Sequence, residues 1–403
     1  MTREEVYTEC LTKLEKSDFL LLELATGFGK TATAIKMINH LIETKYQGKH
    51  TSMLLLVAKT VHKQTWKDEF NKWGGINVDD LTIECYESLK KHEYESFDFV
   101  VMDEMHHLNS DKRLDLFSTL TYGNVIGLSA TIPKKLKQYF QYEYAAEVVT
   151  CSIVDAIEDE VLPEPQIVLY PLQLDNVRPT ESIEVNPKAK GKTFYGNYNE
   201  LWKYRKMKVH AIISCTPRQR VNEYNSLILY ERNRYMRTRQ DFLKNKWLFD
   251  CGERIKYLAN LKNNIVLSIL QRLEKERTIT FCKTIEQADI LGKYSIHSKN
   301  KDSDTIYNNF NAKKINHIVS VNVLNEGANL VDCKYAVFAN YSSSEICSAQ
   351  RVGRSLRHKS PVIILPYYEA TREEEIVNTM IESFKEESIY KIHSLKELDA
   401  FIQ

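Results

Sequence analysis

One short stretch of the chain has the residue types and order of a phosphate-binding turn. Residues 21–36 read LLLELATGFGKTATAI, an apolar run followed by a glycine-rich turn and a helical pattern. Small residues let backbone N–H groups close around a phosphate, the lysine adds a point charge, and the next threonine can ligate magnesium. The strict signature G-x-x-x-x-G-K-[ST] requires glycine where this chain has Leu24, so an ordinary strand-turn-helix corner is an equal alternative. The candidate contacts are Thr26, Gly27, Phe28, Gly29, Lys30 and Thr31.

A pair of adjacent carboxylates follows the apolar run of FDFVVMDEMHHL, residues 97–108. Asp103 and Glu104 stand at the carboxyl end of a predicted strand, which is the edge where open α/β sheets bind ligands. Asp103 would hold magnesium there, and Glu104 would polarise an attacking water. The alternative is an acidic loop that starts a helix, with His106 and His107 on the surface.

Two further segments carry weaker signals. In VIGLSATIP, Ser129 and Thr131 present hydroxyls at another predicted strand end, although such residues are common there for capping reasons alone. In SAQRVGRSLRHK, Arg351, Arg354 and Arg357 are spaced three apart on a predicted helix, which keeps the last two near one face. A guanidinium can stabilise charge on a transferring γ-phosphate, and a solvated basic face is the alternative.

These segments need a framework that brings strand ends together. Short apolar runs alternate with helical patterns in two regions, which predicts two α/β domains with parallel sheets. The predicted strands are 19–24, 52–58, 81–85, 97–102 and 125–129 in the first region, and 278–282, 294–297, 317–321, 335–340 and 362–366 in the second. A chain of 403 residues is long enough for two or three such domains.

The composition changes between the two regions. Residues 163–198 hold most of the prolines and show little periodicity, which predicts a linker with extended segments. Residues 201–262 have a helical pattern with 15 Lys or Arg against 5 Asp or Glu, although the whole chain has a formal net charge of only +1. Arg232, Arg239 and Lys246 recur every seven residues, which predicts one basic stripe on one helix. Such a stripe could follow a phosphate backbone or simply face solvent.

Cysteine usage and hydropathy argue against several classes of protein. The eight cysteines form no C-x-x-C pair and have no nearby histidine at ligand spacing, which favours free thiols over a zinc site. No apolar run approaches about 18 residues, and the first residues include Arg3, Glu4 and Glu5, which is wrong for a secretory signal. We therefore expect a soluble, cytoplasmic protein that does not bind membranes.

The order of ATGFGKT, DEMH, SAT, FCKT, NVLNEGANL and QRVGRSLR along the chain resembles the DExH-type helicases of superfamily 2. The resemblance covers residues 19–150 and 277–366, and it implies an α/β fold of two RecA-like lobes in tandem that hydrolyse ATP with Mg²⁺ in their cleft. The implied units are lobe 1 at 1–150, a linker with extended segments at 151–200, a basic, mainly helical insertion of lobe 2 at 201–265, and lobe 2 with C-terminal helices at 266–403.

The resemblance also implies roles for the matching residues. Lys30 would contact phosphate, Thr31 and Asp103 would ligate magnesium, and Glu104 would activate water. The residues that would couple hydrolysis to nucleic-acid contact are His106, Ser129 and Thr131. Gly327 and Asn329 fall in motif V, and Gln350, Arg354 and Arg357 fall in motif VI, where the two arginines would be arginine fingers.

A motor of this kind holds nucleic acid through backbone contacts that ignore base identity. Ordinary loop chemistry is an equal alternative for the loop residues among the candidates. The candidate contacts are Lys59, Thr60 and Lys63 after the second strand, Lys283 and Thr284 in FCKT, and Arg232, Arg239 and Lys246 in the insertion.

Two departures from the family pattern narrow the expected branch. The N-terminal stretch MTREEVYTEC lacks the glutamine that reads adenine in many relatives, which leaves selectivity for ATP open. NEGANL in motif V and the histidine of DEMH differ from DEAD-box proteins and are similar to restriction-enzyme motors and to recombination or fork-remodelling helicases.

We therefore expect an ATP-dependent helicase or translocase that acts on DNA in replication, recombination or repair, in a bacterial or phage-infected cell. It would work as a monomer, with replication, recombination or defence proteins as partners. The alternatives are a motor subunit of a restriction or defence complex without strand separation, an RNA helicase, and a non-hydrolysing, ATP-gated clamp.

Overall fold

A parallel sheet organises the first part of the chain. The computed structural model describes residues 1–74, 81–321, 330–341, 352–353 and 358–402. The first sheet consists of β1 (Phe19–Leu24), β2 (Met53–Val57), β3 (Leu81–Cys85), β4 (Ser96–Asp103), β5 (Thr121–Ser129) and β6 (Glu147–Cys151). All of its pairs are parallel, in the order β3-β2-β4-β5-β1-β6. The five strands predicted in this region are confirmed, and β6 adds a sixth.

Helices cover both faces of this sheet, which explains why its strands read as continuous apolar runs. Leu20 and Leu22 pack on one face with residues of α1, α2, α3 and α6, whereas Phe19 and Leu21 pack on the other with α4 and α5. These helices are α1 (Arg3–Leu14), α2 (Lys30–Thr44), α3 (Val61–Trp73), α4 (Asp111–Phe117), α5 (Lys134–Tyr144) and α6 (Ile153–Glu158). Short 3-10 turns span Tyr86–His92 and Met105–Leu108.

A second parallel sheet has seven strands. They are β7 (Gln166–Leu172), β11 (Thr278–Phe281), β12 (Ser295–Ile296), β13 (His317–Ser320), β14 (Tyr335–Phe338), β15 (Val362–Tyr368) and β16 (Ile389–Lys391). Their order is β12-β13-β11-β14-β15-β7-β16. Its helices are α11 (Ile285–Leu291), α12 (Ser303–Asn311), α13 (Arg372–Ile381) and α14 (Leu395–Leu398), with 3-10 turns at Glu386–Ser388 and Asp399–Phe401. The prediction of two parallel-sheet lobes is confirmed.

Strand β7 comes from the segment expected to be a linker with extended structure. It pairs with β15 along its whole length, from Gln166 opposite Val362 to Leu172 opposite Tyr368. Pro171 within the strand, and Pro163 and Pro165 just before it, hid it from the sequence pattern, because proline lacks the N–H that an interior strand normally donates. The extended segment within 151–200 is therefore an integral strand of the second sheet, and β16 pairs with its other edge.

A small third sheet and four helices separate β7 from β11. The sheet consists of β8 (Glu181–Val185), β9 (Phe194–Asn197) and β10 (Ala211–Cys215), in the order β8-β10-β9. The helices are α7 (Leu201–Met207), α8 (Pro217–Thr238), α9 (Asp241–Leu261) and α10 (Asn263–Arg272), with a 3-10 turn at Tyr198–Glu200. The segment 201–265 is thus mainly helical, as predicted, but β10 within it is a strand that the sequence reasoning missed.

Helices α8 and α9 form an antiparallel hairpin. Arg254 donates to Asn225 Oδ1 over 2.6 Å, and the Tyr235 and Trp247 rings stack with centroids 6.1 Å apart. The beginning of α8 therefore contacts the end of α9, and the end of α8 contacts the beginning of α9, as expected for antiparallel helices. At the base of this hairpin, the fully buried Lys262 donates to Glu373 Oε1 of α13 over 2.5 Å, which ties the hairpin to the second lobe.

The described residues contain neither a membrane-spanning helix nor a disulfide. None of the helices within the described ranges is long and apolar enough to cross a membrane. The cysteines in those ranges are all free thiols, namely Cys10, Cys85, Cys151, Cys215, Cys251, Cys282 and Cys333.

Candidate active site

The turn between β1 and α2 has the backbone of a phosphate-binding loop. Gly27 and Gly29 have φ angles of 99° and 109°, a region that strains any residue with a side chain. Gly29 is the N-cap residue of the 15-residue helix α2, and it provides no side-chain cap. The first N–H groups of the helix, together with the positive end of its dipole, can therefore bind an anion.

Leu24, which replaces the first glycine of the strict signature, lies in strand β1 and not in the phosphate loop. The Leu24 side chain is fully buried in the sheet, and the residue pairs with Cys151 of β6. Only its backbone faces the turn, where Lys30 Nζ donates to the Leu24 carbonyl over 3.3 Å. Leucine at this position therefore stabilises the strand that supports the loop and leaves the loop itself unobstructed.

The acidic pair lies at the end of β4, beside this loop. Trp66 of α3 donates its indole N–H to Asp103 Oδ2 over 2.9 Å, and Tyr86 donates to the Asp103 carbonyl over 2.8 Å. Burial, followed by repulsion from Glu104, raises the pKa of Asp103 to about 6, although the Trp66 hydrogen bond and the Lys30 charge oppose the rise. Glu104 is buried and has a φ of 50°, a conformation that costs a non-glycine residue about 1–3 kcal/mol and is typical of functional sites.

The donor set at this point suits a divalent cation. Thr31 supplies a hydroxyl and Asp103 a carboxylate, which are the hard oxygen ligands that Mg²⁺ prefers. Two buried oxygens on the same cavity wall, Thr26 Oγ1 and Glu104 Oε2, accept no hydrogen bond within the described part of the chain. Buried oxygens without a hydrogen-bond donor are suited to bind a cation or its waters. The raised pKa of the neighbouring Asp103 fits the same interpretation, because a cation would stabilise its carboxylate form.

The three predicted coupling residues contact one another. His106 Nδ1 lies 3.1 Å from Ser129 Oγ and 3.5 Å from Glu104 Oε2. Ser129 Oγ donates to the Thr131 carbonyl over 2.8 Å and accepts from the Thr131 N–H over 3.3 Å. A polar chain therefore runs from the acidic pair at the end of β4 to the end of β5.

One cavity of about 440 Å³ joins the predicted nucleotide residues. Its walls include residues 26–31 and the Asp103–Glu104 pair, so the structure brings these predicted contacts together. Sequence reasoning missed other wall residues. Ala32 and Thr33 directly follow the predicted loop residues, whereas the rest reach the cavity only through tertiary packing, and these are Arg3, Tyr7, Lys36, His62, Thr65, Trp66, Glu69, Lys72 and Trp73.

The predicted residues of motifs V and VI lie outside the described residues, and they are Gly327, Asn329, Gln350, Arg351, Arg354 and Arg357. Within their segment the structure describes Gly353. A Cβ atom built on this glycine would lie 2.4 Å from Thr26 Cβ and 2.9 Å from the Thr26 carbonyl oxygen, so any side chain would clash there. The missing side chain thus allows the backbone of Gly353 itself to approach the phosphate loop closely at Thr26.

Several predicted nucleic-acid contacts also have structural roles. Lys63 pairs with Glu84 over 3.0 Å, and Thr60 Oγ1 lies 3.8 Å from Cys85 Sγ. Thr284 is the N-cap of α11 and accepts from the Gln287 N–H over 3.1 Å. Lys59 and Lys283 occupy neighbouring positions in the same two loops. These contacts hold the two loops at the sheet edges.

The prediction of a single basic stripe on one helix is wrong. Helix α8 ends at Thr238, and Arg239 has a φ of 55°, so Lys246 lies on the other helix of the hairpin. Lys246 forms an ion pair with Glu231, whose carboxylate is completely buried between the helices. Arg232 and Arg239 remain exposed, and the Arg239 guanidinium stacks over Tyr235 at 5.7 Å.

Comparisons with known proteins agree with this geometry. The family model described as Type III restriction enzyme, res subunit, matches residues 2–134, and the model described as Helicase conserved C-terminal domain matches residues 261–359. The Type I restriction enzyme EcoAI endonuclease subunit of Escherichia coli is 28% identical over 191 residues, which cover 40% of this chain and 23% of that subunit. The match thus takes in less than a quarter of that relative.

Two solved structures share the fold. S. cerevisiae Dbp5 bound to RNA and ADP BeF3 has a TM-score of 0.60 at 11% identity, over 99% of this chain and 92% of that chain. The ATP-dependent Type ISP restriction-modification enzyme LlaBIII bound to DNA has a TM-score of 0.57 at 14% identity, over 100% of this chain and 32% of that chain. At these identities the likeness shows the fold alone, which is a tandem of RecA-like lobes.

The two family models divide the chain as the fold does. The first covers the phosphate loop and the acidic pair, and the second covers strands β11 to β14 of the second sheet. Their names, and that of the curated relative, all belong to helicases or restriction enzymes. The chain is therefore a superfamily 2 helicase-type ATPase of the branch that includes restriction-enzyme motors.

Proposed function

We propose that the chain is an ATP-driven motor that translocates along DNA. The observation that carries this proposal is the single cavity that joins the phosphate loop to Asp103 and Glu104. In it, Lys30 contacts the β- and γ-phosphates, and the helix N-terminus binds their oxygens. Thr31 and Asp103 would hold magnesium, which would neutralise charge on the transferring phosphoryl group.

Glu104 activates the attacking water in this scheme. Its Oε2 atom is buried and accepts no hydrogen bond among the described residues, so it is available to a water in the cavity. His106 lies between Glu104 and Ser129, so a change in charge at Glu104 alters the hydrogen bond at the end of β5. This polar chain is our proposed link between hydrolysis and grip on nucleic acid.

The second lobe completes the site when the lobes close. We assign Gln350, Arg354 and Arg357 to the γ-phosphate from the motif order, with Arg357 as the preferred arginine finger. The position of Gly353 against Thr26 supports this assignment, because Gly353 directly precedes Arg354 in the sequence and follows Gln350 by three residues. An arginine finger is worth about 10³–10⁵ in rate where it has been measured.

We further propose that the substrate is DNA and that the motor has a restriction or defence role. The matching family model and the curated relative both come from restriction enzymes, and LlaBIII is bound to DNA, although Dbp5 is bound to RNA. These names support the restriction-motor alternative over the role in replication, recombination or repair that we expected from the sequence. The motor would then act with partner subunits or domains that supply cleavage.

A nucleic-acid panel tests this function. We expect duplex DNA to stimulate ATP hydrolysis more than single-stranded DNA or RNA of equal length. We also expect the chain to displace a third strand from triplex DNA, which reports translocation, without separating a labelled duplex. Duplex separation would favour the helicase role, stimulation by RNA alone would contradict the choice of DNA, and hydrolysis that no nucleic acid stimulates would contradict a motor.

The exposed cations of the hairpin give a second prediction. Arg232→Glu with Arg239→Glu should weaken DNA binding and flatten its salt dependence, because each lost phosphate contact lowers the slope of log K against log salt by about 0.9. Lys246 is left intact, since its partner Glu231 is buried and reversal would disrupt the hairpin. Binding is measured by fluorescence anisotropy across a salt series.

The matched control reverses two exposed lysines far from the hairpin in sequence, Lys49→Glu and Lys314→Glu. The control changes the net charge by the same amount, so a difference between the two double variants must come from the positions of the substituted residues. If both double variants change the salt slope equally, the hairpin is not part of the DNA-binding surface.

A further inference from the structure

The cavity continues beyond the phosphate loop, onto the N-terminal helix. Arg3 and Tyr7 of α1 line this end, with Lys36 of α2 and Trp73 of α3 opposite. A nucleotide whose phosphates occupy the loop must place its ribose and base outside the loop. The end formed by these side chains is the part of the same cavity that can receive the base.

The structure fixes Arg3 at the wall of this end. Thr2 and Glu5 form a reciprocal capping box, with hydrogen bonds of 2.8 and 3.3 Å, that orders the first turn of α1. Arg3 Nε then donates to the carbonyl of the buried Phe28 over 2.9 Å. The two Nη atoms have no hydrogen-bond partner among the described residues, so they can donate to a ligand.

Tyr7 lies one helical turn after Arg3, on the same face of α1. Its ring centroid lies 5.9 Å from Lys36 Nζ, and the Trp73 ring lies 5.7 Å from the same atom. Flat aromatic surfaces next to a cation suit a nucleobase, which stacks on them whatever its identity. Stacking alone therefore holds a base here without selecting it.

Selection must come from polar groups, and those at this end are mostly donors. Arg3, Lys36 and Lys72 can only donate, and among the described residues that line the cavity none is Asn or Gln. Glu69 is the one carboxylate among the described residues at this end; its Oε2 accepts from Trp73 Nε1 over 2.9 Å, and its Oε1 lies 3.9 Å from the Lys72 ammonium, so its charge is partly neutralised.

The edges of the purines differ in what they need. Adenine presents a donor beside an acceptor, which Asn or Gln matches, whereas guanine presents the two acceptors O6 and N7, which an arginine fork matches. We propose that Arg3 and Tyr7 form a purine-base subsite that accepts guanine at least as well as adenine, so that the motor hydrolyses GTP as well as ATP. This inference rests on the proposed function, since the phosphate loop must bind nucleoside triphosphates.

The test compares DNA-stimulated hydrolysis of ATP, GTP, CTP and UTP by the full chain and its variants. For the unmodified chain we expect kcat/KM for GTP to equal or exceed that for ATP, with both above the pyrimidine nucleotides. Arg3→Gln should shift the GTP to ATP ratio about tenfold towards ATP, through KM and with little change in kcat. Tyr7→Ala should raise KM about tenfold for both purine nucleotides.

Lys16→Ala, an exposed lysine just beyond α1, is the matched control and should change none of these values. Thermal unfolding of each variant separates a loss of fold from a loss of base contact. A chain that hydrolyses ATP but not GTP would overturn the inference and leave the proposed function intact. So would an Arg3→Ala variant with an equal rise in KM for all four nucleotides, because Arg3 would then contact phosphate.

A chain that hydrolyses no nucleotide would contradict the proposed function instead. In that case equilibrium binding of fluorescent GTP and ATP derivatives still decides the base preference. Equal or tighter binding of the guanine derivative, lost in Arg3→Gln, would support the subsite, whereas preference for the adenine derivative would overturn it.

Discussion

Glu104→Gln is expected to abolish nucleotide hydrolysis while nucleotide binding remains. The glutamine amide has nearly the shape of the carboxylate, so the φ of 50° at this position and the packing around it are retained. It cannot accept the proton of an attacking water, and general-base catalysis of this kind is worth about 10²–10⁴ in rate. Binding depends on the loop and on Lys30, which the substitution leaves unchanged.

The measurement pairs steady-state hydrolysis with equilibrium binding of a fluorescent nucleotide. The matched control is Glu143→Gln, an exposed carboxylate near the end of α5, which should hydrolyse at the unmodified rate. If Glu104→Gln keeps more than about a tenth of the activity, another group polarises the water. Asp103 would then be the next candidate, since its carboxyl group faces the same cavity.

The sequence predicted the sheet of the first lobe well because parallel strands buried on both faces leave an unmistakable apolar run. All five residues of β2 are buried, and β1 has the predicted bounds. The phosphate loop and acidic pair were predictable for the same reason, since they directly follow such strands. Local pattern therefore located the residues whose position depends only on their own strand and turn.

Contacts between distant elements could not be predicted in this way. Trp66 reaches Asp103 across 37 positions, and Arg3 reaches Phe28 across 25, without any local signal in the sequence. The break in the hairpin is a different case. Arg239 adopts a left-handed conformation without glycine or proline nearby, so the sequence shows no sign of the turn. The seven-residue spacing of basic residues therefore predicted one continuous helix where the chain forms two. The antiparallel pairing gives the buried Glu231 a cation from each helix, Arg234 of α8 and Lys246 of α9, and a single continuous helix would not bring Lys246 to it.

A buried ion pair between Lys262 and Glu373 joins the hairpin to the second lobe. Glu373→Ala should destabilise the chain by about 3–5 kcal/mol, because it leaves the ammonium of a fully buried lysine without its counter-ion. Lys262 Nζ lies 2.5 Å from Glu373 Oε1 and 4.6 Å from the Tyr341 ring centroid, and Glu373 Oε2 also accepts from the Tyr368 N–H over 3.1 Å. Burial lowers the pKa of Lys262, and Glu373 counteracts this effect.

A double variant distinguishes the charge from the packing. Lys262→Met with Glu373→Leu removes both charges and keeps most of the volume, so it should recover most of the lost stability. Glu253→Ala breaks the half-exposed Lys256–Glu253 pair of 2.7 Å and should change the free energy of unfolding by less than about 1 kcal/mol. Urea unfolding followed by circular dichroism measures all three. A double variant as unstable as Glu373→Ala would mean that the hydrogen bond to Tyr368, and not the buried charge, holds this junction together.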